Sequence, residues 1–168
     1  MHIRIALPRD AVAVTELLLR TYPALMASSY DAELLAGALP VMTRANPELL
    51  ASGKYYVVED AGRLVGCGGW SLDQPGSGKI EAGLSHLRHF ATDPDMTRRG
   101  IGRSIILRCA VDAAKYGTKR FQAFAGLNAE PFYRSLGLER LAVFELAMGP
   151  TAKLPAVLME GPLPSEAH

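Results

Sequence analysis

The chain has 168 residues, 49% of them hydrophobic and 21% charged, with a formal net charge of +1. That is the length of one ordinary domain and the balance of a soluble globular protein, and it argues against bulk attraction to nucleic acid or acidic membranes. The start, Met1 to Asp10, carries no apolar segment behind a basic one, and no apolar run approaches the ~18 residues of a membrane-spanning helix. The two cysteines, Cys67 and Cys109, have no CxxC partner and read as buried, reduced thiols of a cytoplasmic protein.

Ile3 to Ala6 alternates apolar and polar residues and stops at Pro8, which predicts a short first strand. Asp10 is placed to cap a helix with Val14, Leu17 and Leu18 at helical spacing, running to Tyr22 and ending at Pro23. Leu25, Met26, Leu34, Leu35 and Leu39 predict one or two further helices, broken around Pro40 and Pro47. Tyr55 to Glu59 reads as a strand, Asp60 to Arg63 as a turn, and Leu64 to Trp70 as its antiparallel partner. A polar loop, Asp73 to Gly78, precedes a strand from Leu84 to Thr92 in which Leu84, His86, Arg88 and Phe90 take alternate positions.

A turn at Asp93-Pro94-Asp95 then leads into a helix whose core face carries Ile101, Ile105, Cys109 and Ala113, with Gly117 as its C-cap. Arg120 to Ala125 predicts the next strand, Asn128 to Tyr133 a short helix that stops at Gly137, and Leu141 to Met148 another strand. The last apolar piece, Ala156 to Met159, lies between prolines and is expected to add an edge strand. With no repeat or linker, residues 1–168 read as one α/β (α+β) domain, its core about 3–148 and a C-terminal edge strand and tail at 149–168.

The segment from Thr92 to Ser104 joins a strand to a helix through a turn and two glycines. Amides at a helix start have no intrahelical partner, and the dipole there favours negative charge. Gly100 and Gly102 let a ligand approach that backbone closely. Arg98, Arg99 and Arg103 carry the wrong sign for an isolated helix start, and a bound anion reverses that effect. A phosphate or pyrophosphate cradle fits this combination, and solvated arginines beside turn glycines are the competing reading. No Gly-Lys-Ser/Thr follows, so the segment is not a P-loop, and Gly100-Ile101-Gly102 lacks the third glycine of a dinucleotide fingerprint.

Thr97-Arg98-Arg99-Gly100-Ile101-Gly102 resembles the coenzyme-A pyrophosphate loop of the GCN5-related N-acetyltransferases, whose signature is Gln/Arg-x-x-Gly-x-Gly/Ala. Thr97 stands where the family usually has Gln or Arg, which removes one side-chain donor and leaves the backbone amides. Asn128 to Tyr133, with Gly137-Leu138, resembles the family's later Ala-x-x-Phe-Tyr motif and its Gly-hydrophobic pair. The resemblance runs from Ile3 to about Met148. It implies a mixed, mostly antiparallel sheet flanked by helices and splayed between its fourth and fifth strands, with the pantetheine arm in the gap.

The resemblance also implies roles. Thr97, Arg98, Arg99, Gly100, Ile101, Gly102, Arg103 and Ser104 would hold the pyrophosphate, chiefly through backbone amides. Phe90, Ala91 and Thr92 would pair with pantetheine and hold the thioester carbonyl, though a plain core strand is the alternative. Asn128 would contact the pantetheine arm or cap the short helix. Tyr133 aligns with the tyrosine that serves as general acid. A thiol titrates near ~8.5 and Tyr near ~10, so full proton transfer is uphill by ~2 kcal/mol and a hydrogen bond to the developing thiolate describes the role better.

The general base is harder to name. A Lys-like amine with a pKa of ~10.4 is neutral in about 1 part in 2,500 at pH 7, so something must accept its proton. His89 and Glu81 are the candidates, near the fourth strand. Strand alternation sets His89 opposite Phe90, and His86 opposite His89, which makes the two histidines a poor metal pair. No metal is expected. The acceptor pocket would come from residues 20–50, with Tyr22, Tyr30, Leu25 and Met26 and few acids, chiefly Asp31 and Glu33; this mildly disfavours polycationic acceptors. The expected activity is direct acetyl transfer from acetyl-CoA, with coenzyme A as product, to a primary amine on a small molecule or peptide. A catalytically inactive CoA-binding sensor or scaffold is the alternative, and the late apolar strands are candidates for a homodimer contact.

Overall fold

The computed structural model describes residues 1–150 and 152–166 and gathers the strand-forming segments into one seven-stranded sheet. The strands are β1 (His2–Ile5), β2 (Tyr55–Asp60), β3 (Arg63–Ser71), β4 (Leu84–Thr92), β5 (Arg120–Gly126), β6 (Glu139–Met148) and β7 (Ala152–Pro162), in spatial order β1-β2-β3-β4-β5-β7-β6. Neighbours are antiparallel except β4 and β5. That parallel pair joins only Leu84, Ser85 and His86 to Arg120, Phe121 and Gln122, and then parts. The sheet therefore splays between its fourth and fifth strands, as the family resemblance implied.

Two cores sandwich the sheet, and strand alternation assigns residues to them. Tyr55 and Val57 of β2 face one core with Val14, Leu17 and Leu18 of α1 (Ala11–Met26). Tyr56 and Val58 face the other, with Ile101, Ile105 and Cys109 of α4 (Ile101–Ala114) and Tyr133 of α5 (Glu130–Ser135). Full burial of side chains such as Leu17 and Leu18 contributes about 1.5–3 kcal/mol each. The helices α2 (Ala32–Met42) and α3 (Pro47–Ala51) complete the α1 side. Among the described residues, no helix is long and apolar enough to cross a membrane.

The prolines act differently from the sequence expectation. Pro23 does not end α1, which continues to Met26. A proline cannot donate to the carbonyl four residues back, and Leu19 there lies on the exposed side of the helix. Pro40 likewise lies inside α2, four residues after the exposed Ala36. Pro47 does begin a new helix, with the Asn46 side chain capping the amides of Glu48 and Leu49. Asp10 does not cap α1 through its side chain. It accepts from the Leu7 amide at 2.7 Å and from Arg4 at 2.8 and 2.9 Å, which closes the turn before the helix.

The expected C-terminal edge strand is also corrected. β7 is longer than the apolar piece Ala156 to Met159 and lies inside the sheet, between β5 and β6. Pro155 is tolerated because it falls one residue past the last β5 pair, Gly126 with Ala156, where β7 has no neighbour on that side. The edge belongs to β6, which exposes Leu141 and Val143 and shifts register at Leu141.

Candidate active site

The strand β4 supplies the geometry of the site. Cys67 pairs with Ala91 and Gly69 with Arg88, so Gly68 of β3 stands opposite two residues, His89 and Phe90. This is a bulge, and His89 adopts a left-handed φ of 55° within it. Gly68 must lack a side chain there, since a Cβ would lie 2.5 Å from the Phe90 ring. The bulge breaks the expected alternation after Arg88. Arg88 reaches Ser71 Oγ and His89 lies beside Tyr22 of α1, both on the α1–α3 face, while Phe90 turns to meet the Tyr133 ring at 6.4 Å on the other. His86, paired with Ser71, consequently shares a face with His89 rather than opposing it. Among the described residues no cluster of His, Cys, Asp or Glu could hold a metal ion.

Hydroxyl groups from outside β4 fix this geometry. Tyr55 donates to the His89 carbonyl at 2.7 Å, Tyr22 to the Phe90 carbonyl at 3.0 Å and Thr21 to the Thr92 carbonyl at 3.3 Å. From Leu87 to Thr92, β4 has no strand partner on its β5 side, so Phe90, Ala91 and Thr92 border the gap, with the Phe90 and Thr92 carbonyls already accepting from Tyr22 and Thr21. The His89 ring places Nε2 2.9 Å from the Met42 carbonyl at the end of α2. A carbonyl only accepts, so Nε2 carries the proton and Nδ1 keeps a lone pair. Burial pushes the imidazole below its ordinary pKa, which keeps the ring neutral near pH 7.

The turn after β4 is anchored by Asp93, which the sequence marks only as part of a turn. Asp93 is 2% exposed and its carboxylate receives Arg63 at 2.8 Å, Arg20 at 3.3 Å and the Asp95 amide at 2.9 Å. These partners hold its pKa below the usual carboxylate value against the opposing effect of burial. Thr97, Arg98, Arg99 and Gly100 follow as an exposed loop, with Arg98 at φ 65°. Gly100 caps α4 at φ 77°, and a Cβ there would meet nothing within 4 Å, so open space lies over the helix start. The first intrahelical bond runs from the Ser104 amide to the Gly100 carbonyl, so the amides of Ile101 and Gly102 have no carbonyl partner within the helix. That turn contains no acid.

Packing also constrains this turn. Gly102 leaves room for a neighbour as well, because a Cβ would lie 2.8 Å from the Phe132 ring. The Ile101 side chain is buried in the core against Gly66. The Ser104 hydroxyl donates to the Ile101 carbonyl at 2.7 Å. Arg103 lies half-buried on the same turn.

Across the gap, Tyr133 is 7% exposed, and its hydroxyl finds no hydrogen-bond partner among the described residues. Burial pushes its pKa well up, which disfavours full proton transfer further and leaves a hydrogen-bond donor. Asn128 does not cap α5, whose N-cap is Ala129 with no side-chain bond. Its amide oxygen instead crowds Gly126, at 2.8 Å from the position of a Cβ. Tyr30 is structural, accepting from the Leu127 amide and donating to the Pro155 carbonyl. Asp31 caps α2, and Glu81 is exposed in the β3–β4 loop. A cavity of about 260 Å³ near the β2–β3 turn is lined in part by Arg4, Asp10, Glu59 and Arg63; Arg4 is paired with Asp10 and Glu59, and Arg63 with Asp93.

Residues 51–140 match the profile of the acetyltransferase (GNAT) domain. No curated protein matches the chain. Among solved structures, 96% of the chain superposes on 95% of a GCN5-related N-acetyltransferase from Rhodopseudomonas palustris, with a TM-score of 0.80 and 19% identity. The PaiA N-acetyltransferase of Thermoplasma acidophilum, solved with coenzyme A, gives 0.69 at 16% identity, over 96% of this chain and 98% of that one. The ribosomal-protein-S18-alanine N-acetyltransferase of Escherichia coli gives 0.63 at 17% identity, over 98% and 94%. Those likenesses are of fold, whereas the domain profile spans more than half of the 168 residues. On that match, and with the splayed sheet and glycine-led helix start already described, the chain belongs to the GNAT family of acetyltransferases.

Proposed function

We propose that this acetyltransferase uses acetyl-CoA as donor and moves the acetyl group directly to a primary amine, with the whole chain acting as one catalytic domain. The bulge at His89, on the stretch of β4 that β5 leaves unpaired and next to Phe90 with Tyr133 packed on it, is the observation that carries the reading. The residues present fit the donor. Gly100 leaves open space over the start of the helix, where backbone amides have no carbonyl four residues back, and Arg98, Arg99 and Arg103 add positive charge for a pyrophosphate. The free edge of β4 at Phe90, Ala91 and Thr92 suits an amide-bearing arm, with the Asn128 side chain at the opposite rim.

His89 Nδ1 is the lone pair placed to take the proton of the acceptor ammonium, directly or through water. Its neutral state at pH 7 follows from burial, and its tautomer from the Met42 carbonyl. The Tyr133 hydroxyl, held by packing against Phe90 and Phe132, donates a hydrogen bond to the departing sulfur. The test is calorimetric titration of the folded protein with acetyl-CoA, beside thiol release over a panel of primary amines with Tyr133→Phe as control. Micromolar binding with turnover supports the reading. No binding by folded protein overturns it, and binding without turnover on any amine favours a CoA-binding sensor.

A further inference from the structure

The bulge turns His89 toward α1, onto the face of the sheet that Arg88 takes by ordinary alternation from His86. Arg88 is half-buried, and burial holds its guanidinium below the usual pKa. It makes one hydrogen bond, from Nη1 to Ser71 Oγ at 3.0 Å. Each of the other arginines in the sheet, Arg4, Arg63, Arg120 and Arg140, has a carboxylate within 3.0 Å. No ion pair among the described residues includes Arg88; Asp73 and Glu48 act on it only through space. Most of its donor fork is thus without a carboxylate in a partly desolvated place, where a guanidinium is best matched by a planar anion.

A second feature lies beside it. His86, two residues earlier on the same face, is 3% exposed, and its Nδ1 has no hydrogen-bond partner. Gln122, across the β4–β5 junction, is engaged with Glu160 at 2.9 Å. An unpaired buried nitrogen and an unpaired guanidinium, one strand repeat apart, are costly arrangements for a fold to keep unless something completes them.

We propose that Arg88 recognises a carboxylate on the acceptor, so that the amine acetylated by this protein belongs to an amino-acid-type molecule carrying both groups. The proposal rests on the acetyl-CoA reading above. Arg88 directly precedes the bulge residue whose imidazole meets the amine, so both groups of one small acceptor fall within reach of adjacent side chains. The nearby Asp73 and Glu48 make a singly charged carboxylate a better match than a doubly charged phosphate.

The experiment measures thiol release with glycine, L-methionine and L-glutamate, each beside its α-carboxamide, and with triglycine beside its amidated form. Acetyl-CoA binding is followed by calorimetry on the same protein. The acids are expected to exceed their amides in kcat/KM by roughly 10–100-fold. Arg88→Gln should remove that preference, mainly by raising KM, while acetyl-CoA affinity and the rates on amides stay unchanged. Arg88→Lys should keep part of it. A preference among the free amino acids rather than triglycine identifies a metabolite acceptor, and the reverse a peptide end. Equal rates on acids and amides, an unchanged preference in the glutamine variant, or no turnover of any acid by protein that binds acetyl-CoA overturns the proposal. Should Arg88→Gln fail to fold, the acid-to-amide ratio of the wild type and of Arg88→Lys decides it. Absence of acetyl-CoA binding overturns the donor reading itself.

Discussion

The Tyr55 phenol on β2 donates to the His89 carbonyl on β4 at 2.7 Å, and that bond holds a non-glycine residue at φ 55° in the middle of the sheet. Left-handed backbone costs roughly 1–2 kcal/mol for an ordinary residue, so the hydroxyl offsets strain that the bulge needs. Tyr55→Phe is expected to lower stability by about 1–2 kcal/mol, because a buried carbonyl loses its partner. It should lower kcat more than acetyl-CoA affinity. Denaturant unfolding beside calorimetry checks both.

His89→Asn separates backbone from chemistry. Asparagine accepts left-handed φ readily, so the bulge is kept while the proposed base is lost. The expected fall in kcat is roughly 10²–10⁴-fold, with acetyl-CoA affinity retained. Because burial lowers the His89 pKa, the acid limb of the wild-type kcat/KM profile should lie below the ordinary histidine value of ~6.5.

The same shifts make stability depend on pH. His86 and His89 both titrate lower in the folded chain than in the unfolded one, burial being the main cause. Below ~6.5 the unfolded chain binds more protons, so their contribution is complete above that pH and is lost as pH falls through the folded values. The urea midpoint should drop between pH 7 and 5, and the slope should shrink in His89→Asn.

Tyr133→Phe is expected to cut kcat by about one to two orders of magnitude and to leave the melting temperature unchanged or slightly raised. The hydroxyl makes no hydrogen bond among the described residues, so its removal leaves no partner stranded. A large loss of stability would mean that the tyrosine is a packing residue with a structural bond.

Asp93→Asn removes the charge that Arg63 and Arg20 converge on at the start of the proposed pyrophosphate loop. A loss of about 2–3 kcal/mol is expected, less than for a fully buried pair because Arg63 is 55% exposed. Acetyl-CoA affinity should fall with it. Gly100→Ala, by contrast, meets no atom and strains only the backbone, by about 1–2 kcal/mol; comparison of the two by calorimetry distinguishes a displaced loop from a crowded one.

Local signals determined much of this protein. Apolar alternation placed β1 to β5, helical spacing placed α4, and two short motifs were enough to reveal the family, because periodicity and glycine chemistry are properties of neighbouring residues. What the tertiary structure alone decided involves residues far apart in the chain. The bulge at His89 depends on Tyr55, 34 positions away, and the anchoring of Asp93 on Arg20, 73 positions away. The interior place of β7 depends on pairing with β5 and β6, which its prolines concealed. Which face His89 and Phe90 present is likewise fixed by one extra residue in a ladder, since a single-residue slip reverses the side chains beyond it. A strand read by itself contains no record of what its neighbour omits, and the chemistry of this site follows from that omission.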